Sequence, residues 1–107
     1  MPKHTLEEIK RRFASNEDVC RRVIGILSLM SNKTRFRILC VLAEGDYCVT
    51  DIVDAVQMGK LSNISQQLRV LTLAGVLEKT REQQRVIYHL RDRRIAKLIK
   101  VLEKEFA

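Results

Sequence analysis

Apolar positions recur at helical spacing along most of this chain, beginning with its first segment. Thr5 followed by Glu8 forms a capping box, which predicts that a helix starts here. A second possible cap, Ser15 or Asn16, leads into EDVCRRVIGILSLM, in which apolar residues again fall on one side. We therefore interpret residues 5–30 as one interrupted helical arm.

A third helix is predicted for KTRFRILCVLAE, which Ser31 or Asn32 would cap and Gly45 would end. The side chains predicted to face inward on it are Phe36, Leu39, Cys40 and Ala43. The next segment, VTDIVDAVQ, predicts a short helix, and MGK breaks it.

The helix predicted over about residues 60–74 has an apolar side and an unusual polar side. Its apolar side consists of Leu61, Ile64, Leu68 and Leu71. Its opposite side carries Ser62, Asn63, Gln66 and Arg69 instead of the usual Glu and Lys. The hydroxyl and amide groups can both donate and accept hydrogen bonds and the guanidinium donates them, so this side is a candidate binding surface.

After Gly75 the pattern becomes strand-like. VLEKT and RVIYHL, separated by the polar REQQ, predict a hairpin over about residues 76–90, and Asp92 would cap a last helix over about 92–106. This order predicts a mainly α protein with a β-hairpin wing, a winged helix-turn-helix. The helix over 60–74 would be the recognition helix that enters a DNA major groove.

Composition and charge agree with a single DNA-binding domain spanning residues 1–107. The chain is 46% hydrophobic and carries twenty Lys and Arg against thirteen Asp and Glu, a formal charge of +7. This excess favours a polyanionic partner, with nucleic acid ahead of a membrane. Neither a signal peptide nor a membrane-spanning run is evident, so we expect a cytoplasmic protein.

Three segments together resemble the ArsR/SmtB metalloregulators, and the likeness extends from about residue 19 to the end. TRFRIL at 34–39 resembles the family's T-R-L-R-I-L, and ISQQLRVLTLAGVL at 64–77 resembles V-S-x-H-L-x-x-L-x-x-A-G-L-V. VIYHL at 86–90 resembles the second wing strand, V-Y-Y-R-L. The resemblance implies a homodimeric repressor that covers a palindromic operator in double-stranded DNA until an inducer binds.

The expected DNA contacts lie on the recognition helix and the wing. Gln66 points directly away from the apolar side, flanked by Ser62, Asn63 and Arg69, and amide side chains can pair with adenine in bidentate fashion. Lys60 is placed for phosphate, and Ser65 and Gln67 lie at the margin. The wing tip would contribute Arg81, Gln83, Gln84 and Arg85, whose arginines could enter the minor groove or neutralise phosphate.

Apolar stripes on the first and last helices exceed what a small monomer can cover, which suggests a two-fold contact. The resemblance places the family's dimer interface on these terminal helices. The residues expected there are Val19, Val23, Leu27, Ile95, Leu98, Ile99, Leu102 and Phe106.

The sensing sites of the resembled family are incomplete in this chain. Its metal box reads E-L-C-V-C-D-L, but DYCVTDI at 46–52 has Thr50 in place of the second cysteine. Its zinc pattern on the last helix, D-x-H, has Arg94 after Asp92. We expect no cofactor to be required for folding, and the small inducer stays unidentified.

Three cysteines are an odd number without disulfide-scaffold density, and we interpret them as reduced thiols. The candidate sensor thiols are Cys20, Cys40 and Cys48. Cys48 is predicted at a helix start, and Cys20 and Cys40 on or beside apolar faces, where a free cysteine acts as a small hydrophobe. Metal sensing, thiol sensing and inducer-independent repression all stay open.

Two function classes other than a DNA-binding repressor can be compared with this sequence. A winged-helix module that binds protein or RNA without an operator is the alternative. An enzyme is not expected, because the chain has no Gly-rich phosphate loop and no nucleophile–base constellation.

Overall fold

The computed structural model describes residues 3–107 and confirms the predicted order of elements. Within these residues it contains six helices and three short strands. They are α1 (Leu6–Ser15), α2 (Glu17–Met30), α3 (Lys33–Glu44), β1 (Tyr47–Cys48), α4 (Val49–Val56), α5 (Leu61–Leu73), β2 (Leu77–Glu82), β3 (Arg85–Leu90) and α6 (Arg94–Phe106).

Side-chain caps define several helix starts, as the sequence predicts. The Thr5 hydroxyl accepts a hydrogen bond from the Glu8 amide at 3.2 Å, and Asn32 Oδ1 accepts one from the Arg35 amide at 2.9 Å. Only half of the predicted capping box forms, because Glu8 turns its carboxylate to His4 instead. At the start of α6 the residue at the N-cap is Arg93, and Asp92 Oδ1, one position earlier, accepts a hydrogen bond from the Arg94 amide at 3.0 Å.

The hydrophobic core surrounds α3, which packs against α2, α4, α5, α6 and β3. Its fully buried side chains include Ile38, Leu39 and Leu42 from α3 itself. The predicted inward face was therefore partly wrong: Phe36 and Cys40 are only half-buried at the edge of the core. A helix with neighbours on several sides buries more than one stripe, so periodicity alone could not choose between Phe36 and Ile38.

The hairpin joins a third strand that the sequence did not reveal. The strand order is β1-β3-β2, all antiparallel, with Leu77 opposite Leu90, Glu82 opposite Arg85 and Tyr47 opposite Tyr88. The turn is also shorter than predicted. It consists of Gln83 and Gln84 alone, so Arg81 lies within β2 opposite Val86.

Three arginines satisfy backbone carbonyls at the ends of helices, which otherwise lack partners there. The Arg35 guanidinium donates to the carbonyl oxygen of Leu29 at 2.8 Å, near the end of α2. Arg37 donates to Val56 O at 2.9 Å, at the end of α4. Arg93 donates to Leu42 O and Ala43 O at 3.2 and 3.0 Å, in the last turn of α3. These contacts fix the helices against one another and so position α5.

The molecule is elongated, measuring 57 × 29 × 21 Å. Helix α1 buries no residue, and most of α2 is also exposed on this single chain. Both helices nevertheless carry large apolar side chains on their surfaces, among them Phe13, Val23 and Ile24. Among residues 3–107, no helix combines the length and apolar character needed to cross a membrane.

Candidate nucleic-acid interface

The outward edge of α5, formed by Ser62, Gln66, Arg69 and Leu73, faces solvent along the whole helix. Ile64, Leu68 and Leu71 are fully buried behind it, which fixes the rotation of the helix about its axis. All four residues of the outward edge are exposed. Because successive residues turn by about 100°, positions 62, 66, 69 and 73 share one side opposite the core. The structure therefore presents the hydroxyl, amide and guanidinium groups as the sequence predicts.

Two of the predicted base-reading amides are turned partly away from the outward edge. Gln67 is half-buried, and its Oε1 accepts a hydrogen bond from the Arg35 guanidinium at 3.1 Å. Asn63 is also half-buried and lies over Gly59, where a Cβ would come within 2.7 Å of Asn63 Nδ2. Gly59 also has φ +78°, a conformation that favours glycine at the turn before α5. Of the residues predicted to contact bases, Ser62, Gln66 and Arg69 are the exposed ones.

One side chain assigned to the buried side of the recognition helix is exposed. Leu61 fits the apolar spacing of Ile64 and Leu68 but is 56% exposed. It is the first residue of α5, and helical side chains lean toward the helix N-terminus. Its side chain therefore extends beyond the core, where only the exposed turn of Gly59 and Lys60 precedes it.

The wing projects exposed cations on both of its strands. Arg81 and Arg85 are exposed, as are Gln83 and Gln84 in the turn between them. Gln83 adopts φ 57°, in the left-handed region, where the sequence offered no Gly to signal a tight turn. The two-residue turn keeps both arginines close to the tip of the wing.

Positive charge on this side of the molecule is not neutralised by neighbouring carboxylates. Across residues 3–107, ion pairs form on α1 and α2, between α3 and α6, at the start of α6 and around Glu78. None of them includes Lys60, Arg69, Arg81 or Arg85. Cations without a carboxylate partner are available to phosphate groups. This surface is therefore electrostatically suited to a nucleic-acid backbone.

The predicted sensor thiols are far from equivalent. Cys20 is exposed on α2, Cys40 is half-buried on α3, and Cys48 is buried immediately before α4, where it pairs with Ile87 across β1 and β3. Burial raises the pKa of the Cys40 thiol, and Glu103 and Glu44 raise it further, which disfavours the reactive thiolate. Cys20 is the most accessible of the three.

The donor sets implied by the family resemblance do not fit a metal ion. In the part of the chain that the structure describes, no three His, Cys, Asp or Glu side chains converge on a common point. The Arg94 guanidinium, at the position of the family's histidine, contacts both carboxylate oxygens of Asp92. These hydrogen bonds lower the pKa of Asp92 to about 2 and occupy the oxygens that would bind a metal.

The residues predicted at the dimer interface fall into two groups. Val19, Val23 and Leu27 are about half exposed on α2, and Phe106 is 84% exposed at the end of α6. Leu98 and Leu102 are half-buried against the core. The assignment of Ile95 and Ile99 to the interface is not supported by their burial: they are 5% and 1% exposed and belong to the core of the single chain, although Ile95 also lines the groove beside α2.

A groove runs between the exposed side of α2 and the start of α6. It encloses a cavity of about 540 Å³, with walls that include Val19, Val23, Ile26 and Leu98. The exposed apolar stripe of α2 forms one wall, so the groove continues the predicted dimer surface.

Comparisons with known proteins identify the relatives of this chain. A family model described as bacterial regulatory protein, arsR family, matches residues 32–79. The biofilm growth-associated repressor of Xylella fastidiosa is 30% identical over 101 residues, which cover 94% of this chain and 82% of that protein.

Solved structures give the same fold. The transcriptional repressor BigR from Xylella fastidiosa superposes with a TM-score of 0.78 at 27% identity, covering 97% of this chain and 98% of that one. A homodimeric winged helix-turn-helix DNA-binding domain from Mycobacterium bovis superposes with a TM-score of 0.70 at 24% identity, covering 96% of this chain and 87% of that one.

Proposed function

Because this chain belongs to the ArsR family of bacterial regulatory proteins, we propose that it is a DNA-binding transcriptional repressor that acts as a homodimer on a palindromic operator. It is a regulator and not an enzyme. The observation that carries the proposal is the outward edge of α5. Ser62, Gln66 and Arg69 are exposed there, while the opposite side of the helix is buried in the core. Groups held in this way can reach base edges in a major groove.

The interface residues divide into base readers and phosphate contacts. Gln66 is the principal reader, because its amide can pair with adenine, and Ser62 and Arg69 flank it. Lys60, Ser65 and the wing arginines Arg81 and Arg85 contact the backbone and set the register. Asn63 and Gln67 act mainly by positioning, since each is half-buried and Gln67 is held by Arg35. Gln83 and Gln84 support the wing contact from the turn.

A single domain spanning residues 1–107 pairs with a second copy through its terminal helices. The proposed interface comprises the exposed or half-buried apolar residues Val19, Val23, Leu27, Leu98, Leu102 and Phe106. The homodimeric domain from Mycobacterium bovis, which shares this fold, supports a homodimer. In a dimer the two recognition helices would lie about one DNA turn, roughly 34 Å, apart.

We propose that the inducer of this protein is not a metal ion. The Asp92–Arg94 pair and Thr50 argue against both family metal sites, which leaves the thiols as the reactive groups. Cys20 is the accessible candidate, with Cys40 and Cys48 less exposed. Since the chain acts on the bacterial chromosome, we place it in the cytoplasm.

Selection of duplexes from a random DNA library tests the proposal directly. We expect the protein to enrich an inverted repeat whose half-sites are centred one helical turn apart, and its affinity to fall steeply with salt. Failure to enrich any sequence would reject the repressor. Equal affinity for duplex DNA and for RNA of random sequence would instead favour the interaction module.

Sedimentation of interface variants measures the oligomeric state and so tests the proposed dimer. Val23→Asp places a charge in the exposed stripe of α2 and should convert the protein to a monomer. Ala55→Asp adds the same charge to the exposed surface of α4 and should leave the dimer intact. A dimer that survives Val23→Asp would contradict the proposed interface.

Mobility shifts repeated with persulfide, peroxide, Zn²⁺, Cd²⁺ and As(III) test the inducer. Release by an oxidant that is lost in Cys20→Ser would support a thiol switch. Release by an oxidant in a protein lacking all three cysteines would reject it, and release by Zn²⁺ would contradict the argument from Asp92.

A further inference from the structure

Leu61 is an apolar side chain exposed at the entrance of the recognition helix. It is 56% exposed, although its spacing from Ile64 and Leu68 matches the buried side. It follows Lys60, the residue at the N-cap, whose side chain makes no capping hydrogen bond. Its exposure places an apolar group at the N-terminus of the recognition helix.

The neighbours of Leu61 are polar, exposed and suited to DNA. Ser65 lies one turn further along the helix on the same flank, and Ser62 follows Leu61 directly on the outward edge. Lys60 has no carboxylate partner in the described residues. When a helix-turn-helix protein binds DNA, the N-terminal residues of its recognition helix contact base edges. Leu61 lies on the flank of α5 between the buried side and the outward edge, so from the first turn of the helix it would reach the edge of the groove.

The major groove offers one apolar group of matching size. Thymine carries a C5-methyl group at the groove edge, whereas adenine, guanine and cytosine present only donors and acceptors there. A leucine cannot hydrogen-bond to a base, so contact with a thymine methyl is the interaction that would give it sequence preference. An isolated surface leucine with no partner is the competing explanation.

We propose that Leu61 is a specificity-determining residue that contacts the C5-methyl group of one thymine in each operator half-site. The proposal rests on the proposed function, because it requires a DNA operator. It adds to that function an apolar contact with the thymine methyl group, which amide and hydroxyl side chains do not make.

Replacement of individual thymines by deoxyuridine tests the contact, because it removes the methyl group and keeps base pairing. In the selected operator, we expect one thymine per half-site whose replacement weakens binding of the unmodified protein about fourfold, the value of one buried methyl-sized group. Leu61→Ala should bind the thymine and deoxyuridine operators equally. Leu61→Met, which keeps an apolar side chain, should retain the preference.

Leu6→Ala provides the matched control. Leu6 is a leucine that is 75% exposed on α1, outside the recognition helix, and its removal should leave the thymine profile unchanged. Circular dichroism of each variant would establish that it is folded. The proposal is overturned if no thymine shows a deoxyuridine effect that depends on Leu61 while the operator is still bound. Failure of the unmodified protein to select any operator would overturn the proposed function as well.

Discussion

The wing arginines should change the salt dependence of DNA binding by an amount that can be calculated. Arg81 and Arg85 are exposed on adjacent strands and lack carboxylate partners in the described part of the chain. Two arginines per protomer give four in a dimer. If each neutralises one phosphate, the slope of log K against log salt changes by about 0.9 per contact. The Arg81→Ala/Arg85→Ala variant should therefore show a slope shallower by about 3.6.

Fluorescence anisotropy of the labelled operator, titrated at several salt concentrations, measures this slope. Between about 50 and 200 mM salt, the unmodified dimer should lose roughly 150-fold more affinity than the double variant. Such a difference is well above the error of a titration, so a negative result would be informative.

A charge-matched control separates contact from net charge. Lys97→Ala/Lys104→Ala removes the same number of cations from α6, which packs against α3 away from α5. We expect its slope to change by less than that of the wing variant. Equal slopes for the unmodified protein and the wing variant, or equal changes in wing variant and control, would refute the assignment of the wing to phosphate.

Three further changes test single features of the fold. Arg93→Ala removes the donors to Leu42 O and Ala43 O and should lower the free energy of unfolding in urea by about 1–2 kcal/mol. Lys97→Ala should change this free energy by less than about 0.5 kcal/mol. Equal effects of the two substitutions would contradict a stabilising role of Arg93 at the end of α3. Gln83→Gly removes the side chain from a residue with a left-handed backbone and should raise the free energy of unfolding by about 0.5–1 kcal/mol. A variant less stable than the unmodified protein would contradict this backbone conformation in the turn. Hydrogen bonds from Arg94 lower the pKa of Asp92 to about 2 in the folded protein. The contribution of Asp92 to the stability of the fold is therefore complete above its pKa in the unfolded chain, about 4, and is lost as the pH falls to 2. Asp92→Asn should accordingly be less stable than the unmodified protein at neutral pH, and a difference that does not shrink between pH 4 and 2 would exclude this cause.

The sequence was sufficient to predict the helices and the hairpin, because local signals define them. Caps at Thr5 and Asn32, the break at Gly75 and the change of period at Val76 all depend on residues close in the chain. The outward exposure of Gln66 also follows from the spacing of Ile64, Leu68 and Leu71 alone.

Features that depend on distant parts of the chain were not predictable in this way. The strand β1 has two residues and exists because Tyr47 and Cys48 pair with β3, almost forty positions away. Arg35 holds Gln67 from a different helix, so the spacing of α5 placed Gln67 at the margin but could not reveal this contact. Burial of Ile95 and Ile99 likewise depends on where α6 packs, and an amphipathic stripe does not reveal whether its partner is the same chain or a second copy.

The account depends most directly on Gln66 as a reader of bases. Its decisive measurement is the affinity of Gln66→Ala and of the unmodified protein for a set of operators in which each base pair is replaced in turn. We predict that the unmodified protein discriminates one A·T pair per half-site by about 1–3 kcal/mol and that the variant loses discrimination at that pair alone. An unchanged profile in Gln66→Ala, with the operator still bound, would contradict the claim that the outward edge of α5 reads the sequence.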